Sequence, residues 1–88
     1  MRIEFDADKH AKTFAERGLD FADAQYVFDG VTATRPDERQ DCGEPRLQTL
    51  GLLRGRAVAV VWTPRGDARR IISMRYCHDS EIQTFGLG

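Results

Sequence analysis

Two tight-turn signals constrain this chain more than any other feature. Arg54-Gly55 is followed, after only eight residues, by Pro64-Arg65-Gly66-Asp67. Gly, and Pro ahead of Gly, punctuate the backbone at such places because they accept turn dihedrals cheaply. The residues between the turns, RAVAVVWT, form a strand rich in Val. Before them, RLQTLGLL alternates, with Leu47, Thr49 and Gly51 against Gln48, Leu50 and Leu52. After them, ARRIISMRY makes another strand. Three neighbouring strands joined by hairpins give an antiparallel meander.

The first third of the chain follows a different period. Ile3 and Phe5 alternate with polar neighbours in a short strand, IEFD. Asp6 or Asp8 then caps a helix over roughly Asp8 to Arg17, with Ala11, Phe14 and Ala15 as its apolar face and Gly18 as its stop. A second helix is predicted after Asp20, with Asp23 as the second half of a capping box. Phe21, Ala24, Val27 and Phe28 share one face of it, and Gly30 ends it. Val31 to Arg35 returns to strand and stops at Pro36, and DERQDCGEP is a polar turn segment. In the tail, Asp79 or Ser80 caps at most about two helical turns. The expected fold is therefore α+β: two N-terminal helices packed on an antiparallel sheet, with a short C-terminal tail or helix.

At 88 residues the chain is read as one domain, 1–88, with a modest core. No apolar run is long enough to span a bilayer. Acids occupy the positions where MRIEFDADKH would need an apolar stretch to act as a signal peptide, so the expected location is the cytoplasm. Cys42 and Cys77 make no disulfide framework, and with His10 and His78 they are too few and too scattered for a zinc site. No metal or other cofactor is expected. A net charge of -1 excludes a generally basic nucleic-acid coat. The cations are nevertheless uneven: Arg54, Arg56, Arg65, Arg69, Arg70 and Arg75 crowd the second half. Arginine suits two-pronged phosphate contacts, and equally well an acidic protein.

Taken in order, IEFDADKHAKTFAERGLDFADAQYVFDG, then DERQDCGEPRLQTLGLL, then GRAVAVVWTPRGDARRIISMR resemble the BrnT-type toxins of bacterial type II toxin–antitoxin pairs. These are similar in fold to the RelE/ParE superfamily. The resemblance rests most on the Arg-x-Asp-aromatic-Gly-Glu-x-Arg segment, here Arg39 to Arg46, and on Arg-x-Ile-Ser-x-Arg ending at Arg75. It implies a metal-independent endoribonuclease that acts on RNA and inhibits translation. It also implies a BrnA-like antitoxin with a ribbon-helix-helix domain, operator DNA bound only through that antitoxin, and a heterotetramer. The chain departs from the pattern at Arg17, where His precedes the glycine in the family. It departs again at Cys42, in place of an aromatic residue, and in the less basic tail after Arg75.

RNA cleavage without a metal needs alignment or a base for the 2′-hydroxyl, cations for the charge growing on phosphate, and an acid for the leaving 5′-oxygen. Arg75, at a strand end, is the first candidate for the phosphate clamp; the plainer alternative is an arginine paired with a neighbouring acid. Arg39 and Arg46 are candidates from the opposite segment, with an Arg46–Glu44 ion pair as the alternative. Lys9 fits the family's Asp-x-x-Lys pattern, against a solvent-facing helix residue. His78 stands close to Arg75 in sequence and is a candidate general acid or base; an exposed tail histidine is the alternative. His10 and Tyr76 are weaker candidates, Trp62 belongs to the core, and Glu44 and Asp41 orient arginines. Two other readings stand beside the toxin: a toxin-fold protein that has lost catalysis and persists as a binding or regulatory partner, and a small adaptor whose arginine-rich sheet face docks an acidic protein.

Overall fold

A computed structural model describes residues 2–37 and 44–85. Strand β1 (Arg2–Phe5) leads into helix α1 (Ala7–Arg17), a 3-10 turn (Phe21–Asp23) and helix α2 (Ala24–Asp29). Strands β2 (Ala33–Pro36), β3 (Leu47–Leu53), β4 (Arg56–Arg65) and β5 (Ala68–Tyr76) follow, and helix α3 (Asp79–Phe85) ends the described chain. The strands form one sheet in the order β1-β5-β4-β3-β2.

The meander is present as expected. Leu53 pairs with Arg56 across a two-residue turn in which Arg54 and Gly55 both have positive φ, 52° and 80°. That is the backbone whose twist matches a hairpin. The second turn is tighter than its signal: Pro64 and Arg65 still belong to β4, and the turn is Gly66-Asp67 between the paired Arg65 and Ala68. Pro64 is tolerated because β3 ends opposite Trp62, so Pro64 has a strand neighbour on one side only.

Two parts of the expected architecture are corrected. The sheet is mixed, because β1 runs parallel to β5, with Arg2 opposite Ala68 and Phe5 opposite Ile71. The N-terminal helices are the crossover that carries the chain from this edge of the sheet to the other, where β2 pairs with β3. The second correction concerns the two N-terminal helices. Only α1, with 11 residues, is a full helix; the segment after Asp20 opens as a 3-10 turn and gives a six-residue α2. Asp20 does cap, accepting from the Ala22 N–H at 2.9 Å. Asp23, however, makes no cap and pairs with Arg54 at 3.2 Å, so the capping box never closes.

Helix α1 is also rotated from expectation. Asp6 accepts from the Asp8 and Lys9 N–H groups, and Gly18 ends the helix at φ 71°. Yet Ala11, Phe14 and Ala15 face outward, and Phe14 is 55% exposed. The half-buried residues are His10 and Thr13, and Arg17, itself exposed, follows four residues later on the same side of the helix. His10 sits against the rings of Phe5 and Phe21, at 4.8 and 5.8 Å, and its Nε2 meets Asp20 Oδ1 at 2.8 Å. Arg17 donates to the Met74 carbonyl at 2.7 Å. Because β1 ends opposite Ile71, this arginine serves the edge of β5 that has run out of strand.

The core lies between these helices and one sheet face. Phe21, Ala24 and Val27 meet Leu53, Val58, Val60, Trp62, Ile71 and Met74, all buried. Gly51 lets α2 approach β3: a Cβ there would lie 2.7 Å from Val27 Cγ1. On the same face the Trp62 indole N–H donates to Thr49 Oγ1 at 2.9 Å, and Thr49 in turn bonds Thr34 across the strands.

Candidate functional site

The opposite face of the sheet carries the polar chemistry. Strand alternation puts Arg46, Gln48 and Leu50 of β3 and its approach there, together with Ala57, Ala59, Val61 and Thr63 of β4. Register then brings Arg35 beside Gln48 and Arg75 beside Ala59. Asp37 continues the ladder, its N–H donating to the Arg46 carbonyl at 2.9 Å. On β5, Arg70 and Ser73 are three apart and belong on opposite faces of a regular strand. A register shift removes the conflict: Val61 pairs with Ser73 and Trp62 with Ile71, leaving Ile72 as an extra residue. Arg70, Ser73 and Arg75 therefore share the polar face, while Ile71 and Met74 remain in the core.

Helix α3 folds back over one end of this face and delivers Glu81. Its carboxylate takes a two-pronged contact from Arg75, Nη1 to Oε1 at 2.7 Å and Nη2 to Oε2 at 2.9 Å. Arg35 reaches the same Oε2 from β2 at 3.3 Å, and its Nε donates to Gln48 Oε1 at 2.6 Å. The His78 backbone N–H completes the set, donating to Oε1 at 2.9 Å. Three donors from three segments thus converge on one anion. The Glu81 side chain is only 12% exposed. The Arg75 hydrogen bonds are the main cause of a Glu81 carboxyl held down at about 2, with the His78 N–H adding to them. Arg75 is shifted upward by the same contact. Cys77 lies half-buried on this face with Leu50 and Ala59. Burial raises its pKa, which favours the thiol over the nucleophilic thiolate.

The candidates named from sequence fare unequally. Arg75 is at the centre, and the acid that pairs with it is Glu81. Arg46 is half-buried on the same face, and Glu44 pairs instead with Arg65 at 3.1 Å. Arg39, Asp41 and Cys42 lie outside the described residues. Lys9 is exposed on the first turn of α1, and among the described residues no contact joins its side chain to Arg75. His78 contributes its backbone N–H, while the residue itself is exposed. His10 is held in the aromatic packing under α1. Tyr76 packs against the core side with the Arg56 guanidinium 3.9 Å from its ring centre. Sequence reasoning missed Arg35 and Gln48. Their alternation within β2 and β3 was legible, but the register that aligns them was not.

Two arginines from separate strands of a small mixed sheet thus converge on one internal carboxylate, the kind of two-pronged contact that arginine makes with carboxylate and phosphate alike. A family model for the BrnT ribonuclease toxin of type II toxin–antitoxin systems matches residues 5–81. The chain belongs to that family, and so is a ribonuclease toxin whose system includes an antitoxin protein. No individual curated protein matches the chain. Among the described residues, no helix is long and apolar enough to cross a membrane.

Proposed function

We propose that this toxin is a metal-independent endoribonuclease that acts in the cytoplasm and inhibits translation, with Arg75 and Arg35 as its phosphate clamp. The carrying observation is the convergence of both guanidinium groups on one carboxylate oxygen, Oε2 of Glu81. The Glu81 oxygens stand in for the non-bridging oxygens of a phosphodiester. In the reaction, the 2′-oxygen attacks the adjacent phosphorus, the bond to the 5′-oxygen breaks, and a cyclic phosphate and a 5′-hydroxyl result. The 2′-hydroxyl gives up a proton and the leaving 5′-oxygen gains one. The clamp stabilises the charge growing on phosphorus-bound oxygen, and such preorganised donors are commonly the largest catalytic contribution. Arg46, on the same face, extends the cationic track along the RNA backbone. Lys9, Arg39 and the His78 imidazole remain candidates for its margins and for proton transfer.

The antitoxin in this reading is BrnA-like, with a ribbon-helix-helix domain through which alone the complex meets operator DNA, in a heterotetramer. Size-exclusion chromatography of the co-expressed pair checks this, and a 1:1 heterodimer contradicts it. The test of the activity is induced expression with and without Arg75→Ala. Growth arrest with RNA decay, surviving a chelator in the purified reaction and abolished by Arg75→Ala, is expected. Arrest that persists in Arg75→Ala removes Arg75 from the site. One observation favours a second reading, a toxin-fold protein acting only as a binding partner: Glu81 already holds both prongs of Arg75. Absence of arrest together with a tight complex with the neighbouring gene product would support it.

A further inference from the structure

We infer that Glu81 is an internal competitor for the RNA phosphate, so that α3 is an autoinhibitory strap which substrate must displace before Arg75 Nη1 and Nη2 and Arg35 Nη2 can bind it. The inference rests on the clamp reading above and goes beyond it, because it assigns a role to a residue outside the catalytic set. Arg75 spends Nη1 and Nη2 on the two Glu81 oxygens, and Arg35 spends Nη2 on one of them. A phosphodiester needs those same N–H groups, in the same fork geometry. Carboxylate and phosphate therefore cannot be held together by this pair.

The strap is built to let go. It follows β5 directly, the last ladder bond being Cys77 N–H to the Ala57 carbonyl at 3.0 Å. Of its residues up to Thr84, only Glu81 and Ile82 are even half-buried; Asp79, Ser80, Gln83 and Thr84 are exposed. Ile82 lines a shallow cavity together with Leu52, Ala57 and Cys77. Among the described side chains, Asp79 to Thr84, the attachment is therefore one ion-paired carboxylate and one half-buried isoleucine, on a helix whose seven residues are too few to persist alone.

The competing view is that Glu81 positions Arg75 for catalysis. The two views differ in sign. The probe is a 2′-O-methyl oligoribonucleotide, which presents phosphodiesters but cannot be cleaved, read by fluorescence anisotropy against the full chain. Glu81→Gln keeps the shape and removes the charge. Competition predicts binding tighter by about three- to tenfold, since a partly exposed ion pair is replaced. It also predicts faster cleavage of unmodified RNA, with the binding gain lost in Glu81→Gln/Arg75→Ala. Unchanged or weaker binding, or slower cleavage, overturns the inference. A gain in binding that persists in the double variant overturns the clamp itself. A gain that depends on Arg75, without cleavage by any variant, leaves the competitor in place and removes only the nuclease reading. The unmodified chain supplies a check free of any folding defect: the oligonucleotide should raise amide hydrogen exchange across residues 79–85. Exchange that falls or stays the same contradicts a displaced strap.

Discussion

Replacing Gly51 with alanine should destabilise the whole domain, for a reason visible in one distance. A Cβ at this position would stand 2.7 Å from Val27 Cγ1, 3.1 Å from Thr32 Cγ2 and 3.4 Å from the Val27 carbonyl oxygen. Val27 is fully buried, packed among Phe21, Ala24 and the sheet, so its side chain has no free volume to enter. The Val27 backbone is fixed by the helix, so α2 must move away from β3 as a body. Overpacking of this kind costs about 1–3 kcal/mol. In a domain of this size each kcal/mol lowers the melting temperature by roughly 4–8 °C. Urea denaturation should show a lower midpoint with an unchanged slope, since the surface exposed on unfolding is nearly the same. Val27→Ala alone also destabilises, by leaving a cavity. The double variant should lose less than the sum of the two, by at least about 0.5 kcal/mol, because the alanine methyl enters the space that valine vacates. A Gly51→Ala protein within about 0.5 kcal/mol of the parent, or strict additivity with Val27→Ala, would refute the close approach of α2 to β3.

Two further outcomes follow from individual contacts. Glu81 is held at about 2 against an ordinary 4.5, so its stabilising contribution is complete above about pH 4.5 and is lost as pH falls through that range toward 2. The ceiling is about 3 kcal/mol, reduced to about 1–2 by solvent reaching Arg35 and Arg75. Carbon-detected NMR of the side-chain carboxyl measures it, and a midpoint near 4 or above contradicts the ion-pair geometry. Thr49→Val strands the Trp62 indole N–H in the core, costing about 1–3 kcal/mol, and the cost should shrink in a Trp62→Phe background where no donor remains. Equal cost in both backgrounds, read by thermal melts, denies that hydrogen bond.

What could be read from the residues was whatever lies within one element or one turn. The Arg54-Gly55 signal specifies a local backbone, and the backbone is there. The face Phe21, Ala24, Val27 and Phe28 was legible because those positions pack as a unit, even though the helix around them shortens to α2. What failed was non-local. The periodicity of IEFD marks a strand but carries no information on its neighbour, and the parallel partner lies some sixty-six residues away at Ala68 to Ile71. The apolar residues Ala11, Phe14 and Ala15 promised a buried face for α1. A histidine in an aromatic cluster and an arginine on an edge carbonyl hold the helix instead. The geometry of the candidate site was half legible for the same reason. Arg75 stood out in its motif, but Arg35 enters through the register of β2 on β3. Glu81 enters because the chain turns back over the polar face after Cys77. Arg70, Ser73 and Arg75 share a face only through the extra residue Ile72, which no periodicity announces.

Glu81 does two jobs with one carboxylate, and this couples the shape of α3 to the state of the arginines. It is the third residue of the helix, and its Oε1 reaches back to the N–H of His78, the residue just before the helix begins. That is the reciprocal half of a capping box, and it satisfies a donor that the helix leaves open. The same Oε1 accepts from Arg75. An incoming phosphate that draws Arg75 away leaves the carboxylate charged and facing fewer donors. The helix then loses the polar contact through which Glu81 ties it to β5, and a helix of seven residues does not persist on its own. In the proposed competition, release of the guanidinium and loosening of α3 would therefore be one event rather than two. On the clamp proposed above, the altered tail of this chain need not mark a decayed site, because its acid would set a threshold for occupancy of that clamp.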